Sequence, residues 1–104
     1  LRCERITKET NMLEKEVEHY FDWVVQRAGG RTYKFKSPSQ RGVADRIACL
    51  PNGGTWFVEL KAPHGRRSKL QGLFAEEMRR TQQQYACLWT KEQVDEWFSD
   101  RIKK

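Results

Sequence analysis

Cysteine is scarce in this chain of 104 residues, and none of its three copies stands in a Cys-x-x-Cys pair. The odd set Cys3, Cys49 and Cys87 supplies neither a disulfide framework nor a zinc knuckle. Cys49 and Cys87 fall in strand-like runs and are expected as buried thiols of a reduced protein. Long apolar runs are missing too. Stretches such as Trp23-Val-Val25 are far too short to span a membrane. The first residues, LRCERITKET, are polar and charged and do not read as a secretory signal. The expectation is a cytoplasmic chain that is not secreted. Met12 is a candidate start, which leaves residues 1–11 as a flexible extension ahead of one domain over residues 12–104.

Acids are scarce in one segment only. Residues 31–69 hold nine basic side chains against two acids, Asp45 and Glu59, whereas the remainder has eleven bases against twelve acids. The net charge of +6 is therefore concentrated, as expected of a protein that binds a polyphosphate. A merely basic, solvated surface is the simpler alternative, but both acids of the segment lie in two strand-like runs.

From Met12 to Ala28, Leu13, Val17, Tyr20, Phe21, Val24 and Val25 recur at helical spacing, and Gly29-Gly30 ends the run. His19 lies on this helix and is expected at the surface. Thr32–Lys36 alternates as a strand, and residues 37–42 form a basic loop. Two strands follow around Asn52-Gly53-Gly54, then a second basic loop, Ala62-Pro-His-Gly-Arg-Arg67. Ser68 begins a helix with Leu70, Leu73, Phe74 and Met78 as its expected buried stripe. Tyr85–Trp89 is a short apolar strand. Thr90 and Gln93 form a capping box for a last helix that buries Val94, Trp97 and Phe98. The order α-β-β-β-α-β-α gives an α/β sandwich around a small mixed sheet flanked by helices.

Along Thr55–Lys61, Trp56, Val58 and Leu60 face one way, and Thr55, Phe57, Glu59 and Lys61 face the other. On their own Glu59 and Lys61 also fit an ordinary ion pair. Whether Asp45 joins them depends on the hairpin register. A two-residue Asn-Gly turn sends Asp45 to the opposite face. A three-residue loop Asn52-Gly53-Gly54 places Asp45 opposite Lys61 and Ile47 opposite Glu59, all on one face, and is the predicted arrangement. Two convergent carboxylates suit a hard divalent cation, Mg²⁺ or Mn²⁺, and the backbone carbonyl of Leu60 is a further oxygen donor. Lys61 is placed to orient or deprotonate water, or to stabilise developing negative charge.

Asp45, a spacer of thirteen residues, and Glu59-Leu60-Lys61 together resemble the PD-(D/E)XK nuclease signature. The longer string is more specific. Arg41-Gly-Val-Ala-Asp45, Phe57-Val-Glu-Leu-Lys-Ala-Pro63 and Ser68-Lys-Leu-Gln71 resemble the VRR-NUC (virus-type replication-repair nuclease) domain over residues 12 to about 89. The resemblance implies a restriction-endonuclease-like αβββαβ core with a C-terminal helix added. It implies Asp45 and Glu59 as metal ligands, Lys61 as the catalytic lysine, and a first-helix glutamate near the metal. Glu14, Glu16 and Glu18 are the candidates; Glu14 is chosen because Val17 follows it at the family's spacing, and Glu18 borders the same face. Gln71 matches the family's glutamine after the lysine strand, although Ser68-x-x-Gln71 is also a plain capping box. Ala44 stands where the family usually has proline, a change that removes no ligand.

The basic residues around this string, Lys34, Lys36, Arg41, Arg66, Arg67 and Lys69, together with His64, are expected to meet DNA phosphates. No recognition-helix or zinc-finger pattern appears, so DNA is expected to be read by structure and not by sequence. The resemblance then implies a divalent-metal-dependent DNA endonuclease, a homodimer cutting branched DNA such as four-way (Holliday) junctions, in the DNA repair of a bacterial or phage-infected cell. The alternatives are a monomeric flap or nicking nuclease and a catalytically idle DNA-binding module.

Overall fold

The computed structural model describes residues 2–35 and 44–102, with side chains over residues 14–35 and 44–101. The elements are α1 (Arg2–Arg27), β1 (Arg31–Lys34), β2 (Arg46–Cys49), β3 (Thr55–Leu60), α2 (Lys69–Arg80), β4 (Tyr85–Leu88) and α3 (Lys91–Ile102). The predicted order is observed. The apolar stripe predicts a first helix from Met12, whereas α1 runs unbroken from Arg2.

The sheet has the order β1-β2-β3-β4. The first three strands form an antiparallel meander, and β4 lies parallel to β3 after the crossover through α2. Alternation along β2 and β3 sends Ala48, Leu50, Val58 and Leu60 to one face, where Val17, Phe21 and Val25 of α1 and Val94 and Trp97 of α3 complete the buried core. The layers approach closely where α1 ends. A Cβ on Gly30 would lie 2.6 Å from the Cys49 carbonyl and 2.8 Å from Val25, so glycine is required there.

The opposite face meets α2 through aromatic contacts. Phe57 touches Phe35 and Phe74, and Phe74 also meets Tyr85. Here the predicted burial fails. No residue of α2 is fully buried, and Leu70 and Leu73 are 46% and 55% exposed. Helical periodicity marks which residues share a face, but not whether another element covers that face. Cys49 and Cys87 are likewise only partly buried, since they point to this thinner layer.

The hairpin differs from its prediction in one instructive way. Ile47 pairs with Phe57 and Cys49 with Thr55, two residues away from the expected register. The loop is Pro51-Asn52-Gly53, closed by Gly53 N–H to the Leu50 carbonyl at 3.0 Å and Leu50 N–H to the Gly54 carbonyl at 2.7 Å. Proline suits the first central position of such a turn, and Gly53 takes the left-handed φ of +94°. A shift by two preserves the faces, because side chains alternate with period two. Asp45 and Glu59 therefore still share a face. Continuing the observed register one step sets Asp45 across from Glu59, and not from Lys61.

Candidate active site

At the end of the sheet where β2 begins and β3 finishes, the strands stop pairing through their backbones. The last paired residues are Arg46 and Val58. At the next rung the Leu60 N–H donates instead to Asp45 Oδ2, at 3.1 Å. The carboxylate thus replaces a backbone acceptor, which fixes Asp45 beside the end of β3. Because N–H and C=O of one strand residue point to the same side, the Leu60 carbonyl is also directed toward β2.

Glu59 is wholly buried. Its Oε1 accepts the Tyr85 hydroxyl at 2.5 Å, whereas Oε2 is buried with no partner among the described residues. Burial pushes the carboxyl pKa upward, and the Asp45 charge pushes it the same way. The Tyr85 hydrogen bond and the charges of Lys61 and Arg67 oppose that shift. Tyr85 is itself held up by burial and by donating to Glu59. Its oxygen accepts from Arg67 at 3.5 Å. Arginine has no acceptor, so the tyrosine proton can serve only Glu59, and the chain of bonds runs one way from Arg67 through Tyr85 to Glu59. Sequence reasoning missed Tyr85, which reads only as the start of an apolar strand. Cys87, beside Glu59 across the parallel pair, has its pKa pushed up to about 12 chiefly by burial, which leaves an unreactive thiol.

Lys61 follows Glu59 on the same face, and its charge is felt by both Glu59 and Cys87. Its backbone N–H is fixed by the Leu88 carbonyl at 2.9 Å. The loop after it turns through a Gly65 N–H to Ala62 carbonyl bond of 2.8 Å and is tied to the sheet by Trp89 Nε1 donating to the Gly65 carbonyl at 2.9 Å. This holds His64, Arg66 and Arg67 at the surface near Lys61, and Lys69 is exposed just beyond. Gln71 forms the capping box: its Oε1 accepts from the Ser68 N–H and its N–H donates to Ser68 Oγ, each at 3.1 Å. That leaves its side-chain NH₂ without a partner among the described residues.

The first helix contributes differently from its expectation. Arg46, at the start of β2, is buried and donates to Asp22 at 3.2 Å and to Glu18 at 3.5 Å. This anchors α1 to the strand that carries Asp45. A cavity of about 230 Å³ beside them is lined by Glu18, Lys34, Phe35, Asp45 and Arg46. The structure thus brings Glu18 toward Asp45; Glu14, one turn earlier, does not line this cavity. Glu16 faces Lys91 at 4.0 Å, and His19 is exposed as expected. Lys36 and Arg41 lie outside the described residues.

Among the described residues no three His, Cys, Asp or Glu side chains converge on one point. The donor set nonetheless suits a hard cation: a buried Glu59 oxygen without a partner among the described residues, the Asp45 carboxylate at the same end of the sheet, and a Leu60 carbonyl directed toward β2 there. Magnesium or manganese bound by few protein oxygens, with waters completing the shell, fits such a site better than a closed cage.

No family model matches the chain. A curated protein of Acyrthosiphon pisum secondary endosymbiont phage 1, "Putative nuclease p44", is 50% identical over 50 residues, which are 48% of this chain and 54% of that protein. The match spans about half the length of that curated relative. A solved structure described as "VRR_NUC domain" superposes with a TM-score of 0.77 at 25% identity, over 83% of this chain and 94% of the other. No helix among the described residues is long and apolar enough to cross a membrane. The described chain has the VRR-NUC fold, as its Asp45, Glu59-Leu60-Lys61 and Ser68-x-x-Gln71 motifs indicated.

Proposed function

We propose that this chain is a divalent-metal-dependent endonuclease that hydrolyses phosphodiester bonds of branched DNA as a homodimer. One observation carries the reading: Oε2 of Glu59, buried and without a partner among the described residues, with Asp45 on the same sheet face, in the most basic part of the sequence. Asp45, Glu59 and the Leu60 carbonyl would hold Mg²⁺ or Mn²⁺, and Glu18, which lines a cavity together with Asp45, is the first-helix glutamate that would join them. Such a cation supplies Lewis acidity at the phosphate and a more acidic water. Lys61 orients that water or stabilises charge on the phosphate in the transition state. The NH₂ of Gln71 offers a hydrogen bond to water or phosphate. Lys34, Lys36, Arg41, His64, Arg66, Arg67 and Lys69 contact the backbone on either side, fixing position without reading bases.

The branched substrate and the homodimer rest on the resemblance to single-domain VRR-NUC proteins. Leu70 and Leu73, exposed on α2, give an apolar surface that a second copy would cover. Two sites related by a two-fold axis then suit symmetric cutting of a four-way junction. Action in the cytoplasm of a bacterial or phage-infected cell belongs to the same reading.

The test is cleavage of labelled four-way junction, flap and plain duplex in Mg²⁺ or Mn²⁺ by wild type and Lys61→Ala, with light scattering at micromolar concentration. Junction cleavage by a dimer, lost in the variant, is expected. Flap cleavage by a monomer replaces the homodimer reading with the monomeric nuclease. Binding without cleavage of any substrate leaves only an idle DNA-binding module.

A further inference from the structure

On the other side of Tyr85 lies a second cavity, of about 390 Å³, between α2 and β4. Arg67, Glu76, Arg79, Gln83 and Tyr85 line it, with Gly72 opening its helical wall. It is one side chain away from the candidate active site, since Tyr85 donates to Glu59 and accepts from Arg67.

Two features point to an anionic occupant. First, Gly72 sits inside α2, where glycine is unfavourable relative to alanine. No packing contact demands it, because a Cβ there would meet nothing within 4 Å. The glycine keeps space open on the cavity side. Second, among the described residues Arg79 is held only by Glu76, at 2.7 Å, and both side chains are mostly exposed. An exposed, solvent-screened pair of this kind is weak, so its guanidinium is readily given up to a phosphate that it can grip with two hydrogen bonds. Arg67 supplies a second guanidinium on the same cavity, and Gln83 an amide on its rim.

We propose that this cavity is a phosphate subsite: it seats a phosphodiester group of the DNA strand adjoining the bond to be cut, on Arg67 and on Arg79 released from Glu76. The proposal rests on the reading of the chain as a DNA nuclease, and places one backbone phosphate against the same tyrosine that holds Glu59.

The helix contains its own control. Arg80 and Glu77 form an equivalent pair at 2.6 Å, one residue further round α2, and line no part of the cavity. Binding of fluorescent junction DNA is measured by anisotropy over a salt series in EDTA, so that no strand is cut. Arg79→Gln is expected to lower the slope of log K against log salt by about 0.9, the loss of one phosphate contact, while Arg80→Gln leaves it unchanged. Glu76→Gln strengthens binding and Glu77→Gln does not. Gly72→Leu fills the cavity and weakens binding several-fold, while thermal melting shows the chain as stable as wild type or more so. Equal effects of Arg79→Gln and Arg80→Gln, or unchanged binding by Gly72→Leu, overturn the subsite while the nuclease reading stands. Absence of DNA binding by the unaltered chain overturns that reading, and the subsite with it.

Discussion

Replacing Glu59 by glutamine separates a metal-binding carboxylate from one that is merely buried. In the metal-free protein Glu59 is sealed from water, with Oε1 on Tyr85, Oε2 on no other described residue, and the Asp45 charge nearby. Burial raises its pKa above the ordinary 4.5, so over a window above that value the folded state keeps a proton that the unfolded chain has lost. The folded state then binds more protons, and wild-type stability falls as pH rises, by up to about 1.4 kcal/mol per pH unit inside the window. Glutamine has no such proton to lose. It retains an oxygen for Tyr85 and places an uncharged NH₂ where Oε2 lacks a partner, at a pH-independent cost of about 1–3 kcal/mol. Metal-free Glu59→Gln must therefore gain on wild type as the pH rises above the ordinary 4.5. Manganese reverses the order. At a hundred times its dissociation constant it adds about 2.7 kcal/mol to wild type, a rise of roughly 10–20 °C for a domain of this size, and nearly nothing to the variant. Thermal melts across pH in EDTA and in MnCl₂ measure both effects. A Mn²⁺ shift equal in the two proteins, or a variant that loses ground as pH rises, refutes the reasoning.

Arg46→Ala removes the buried cation that holds Glu18 and Asp22 against β2. The loss expected in urea unfolding is about 3 kcal/mol, the low end for breaking a buried pair, because both carboxylates keep some access to water. Tyr85→Phe strips Glu59 of its one hydroxyl donor, worth about 1.5–3 kcal/mol for a charged acceptor. Calorimetric titration should show Mn²⁺ binding weakened about tenfold or more at neutral pH. Gly30→Ala drives a methyl into the Cys49 carbonyl and Val25, and is expected to destabilise by about 1–3 kcal/mol in the same urea assay.

Most of the fold is legible in the sequence because each element carries a local signal: the stripe on α1, the strict alternation of Thr55–Leu60, the capping box at Ser68. The shared face of Asp45 and Glu59 is legible for the same reason, since alternation fixes parity even when the register is wrong by two. The loop itself is harder. Gly53-Gly54 draws attention, yet Pro51 selects the turn, and only Gly53 adopts a positive φ. Arg46 and Tyr85 are not legible at all. Arg46 reads as one more base, and its burial follows only when Glu18 and Asp22 approach from 28 and 24 residues away. Tyr85 reaches Glu59 only through the parallel register of β3 and β4, which α2 sets by crossing over. That Glu18, and not Glu14, lines the cavity beside Asp45 is not legible for a related reason: which turn of a helix meets a strand is a packing outcome.

Asp45, Glu59 and Lys61, if they form one metal-dependent phosphodiester-cleaving centre, are all needed for cleavage. Single-turnover cleavage of four-way junction DNA, by wild type, Glu59→Gln and Lys61→Ala at matched DNA occupancy, tests it most directly. Cleavage in Mg²⁺ or Mn²⁺ that disappears in EDTA, and falls at least about a hundredfold in both variants, is the predicted result. Cleavage that persists in EDTA, or that Lys61→Ala leaves intact, contradicts the account.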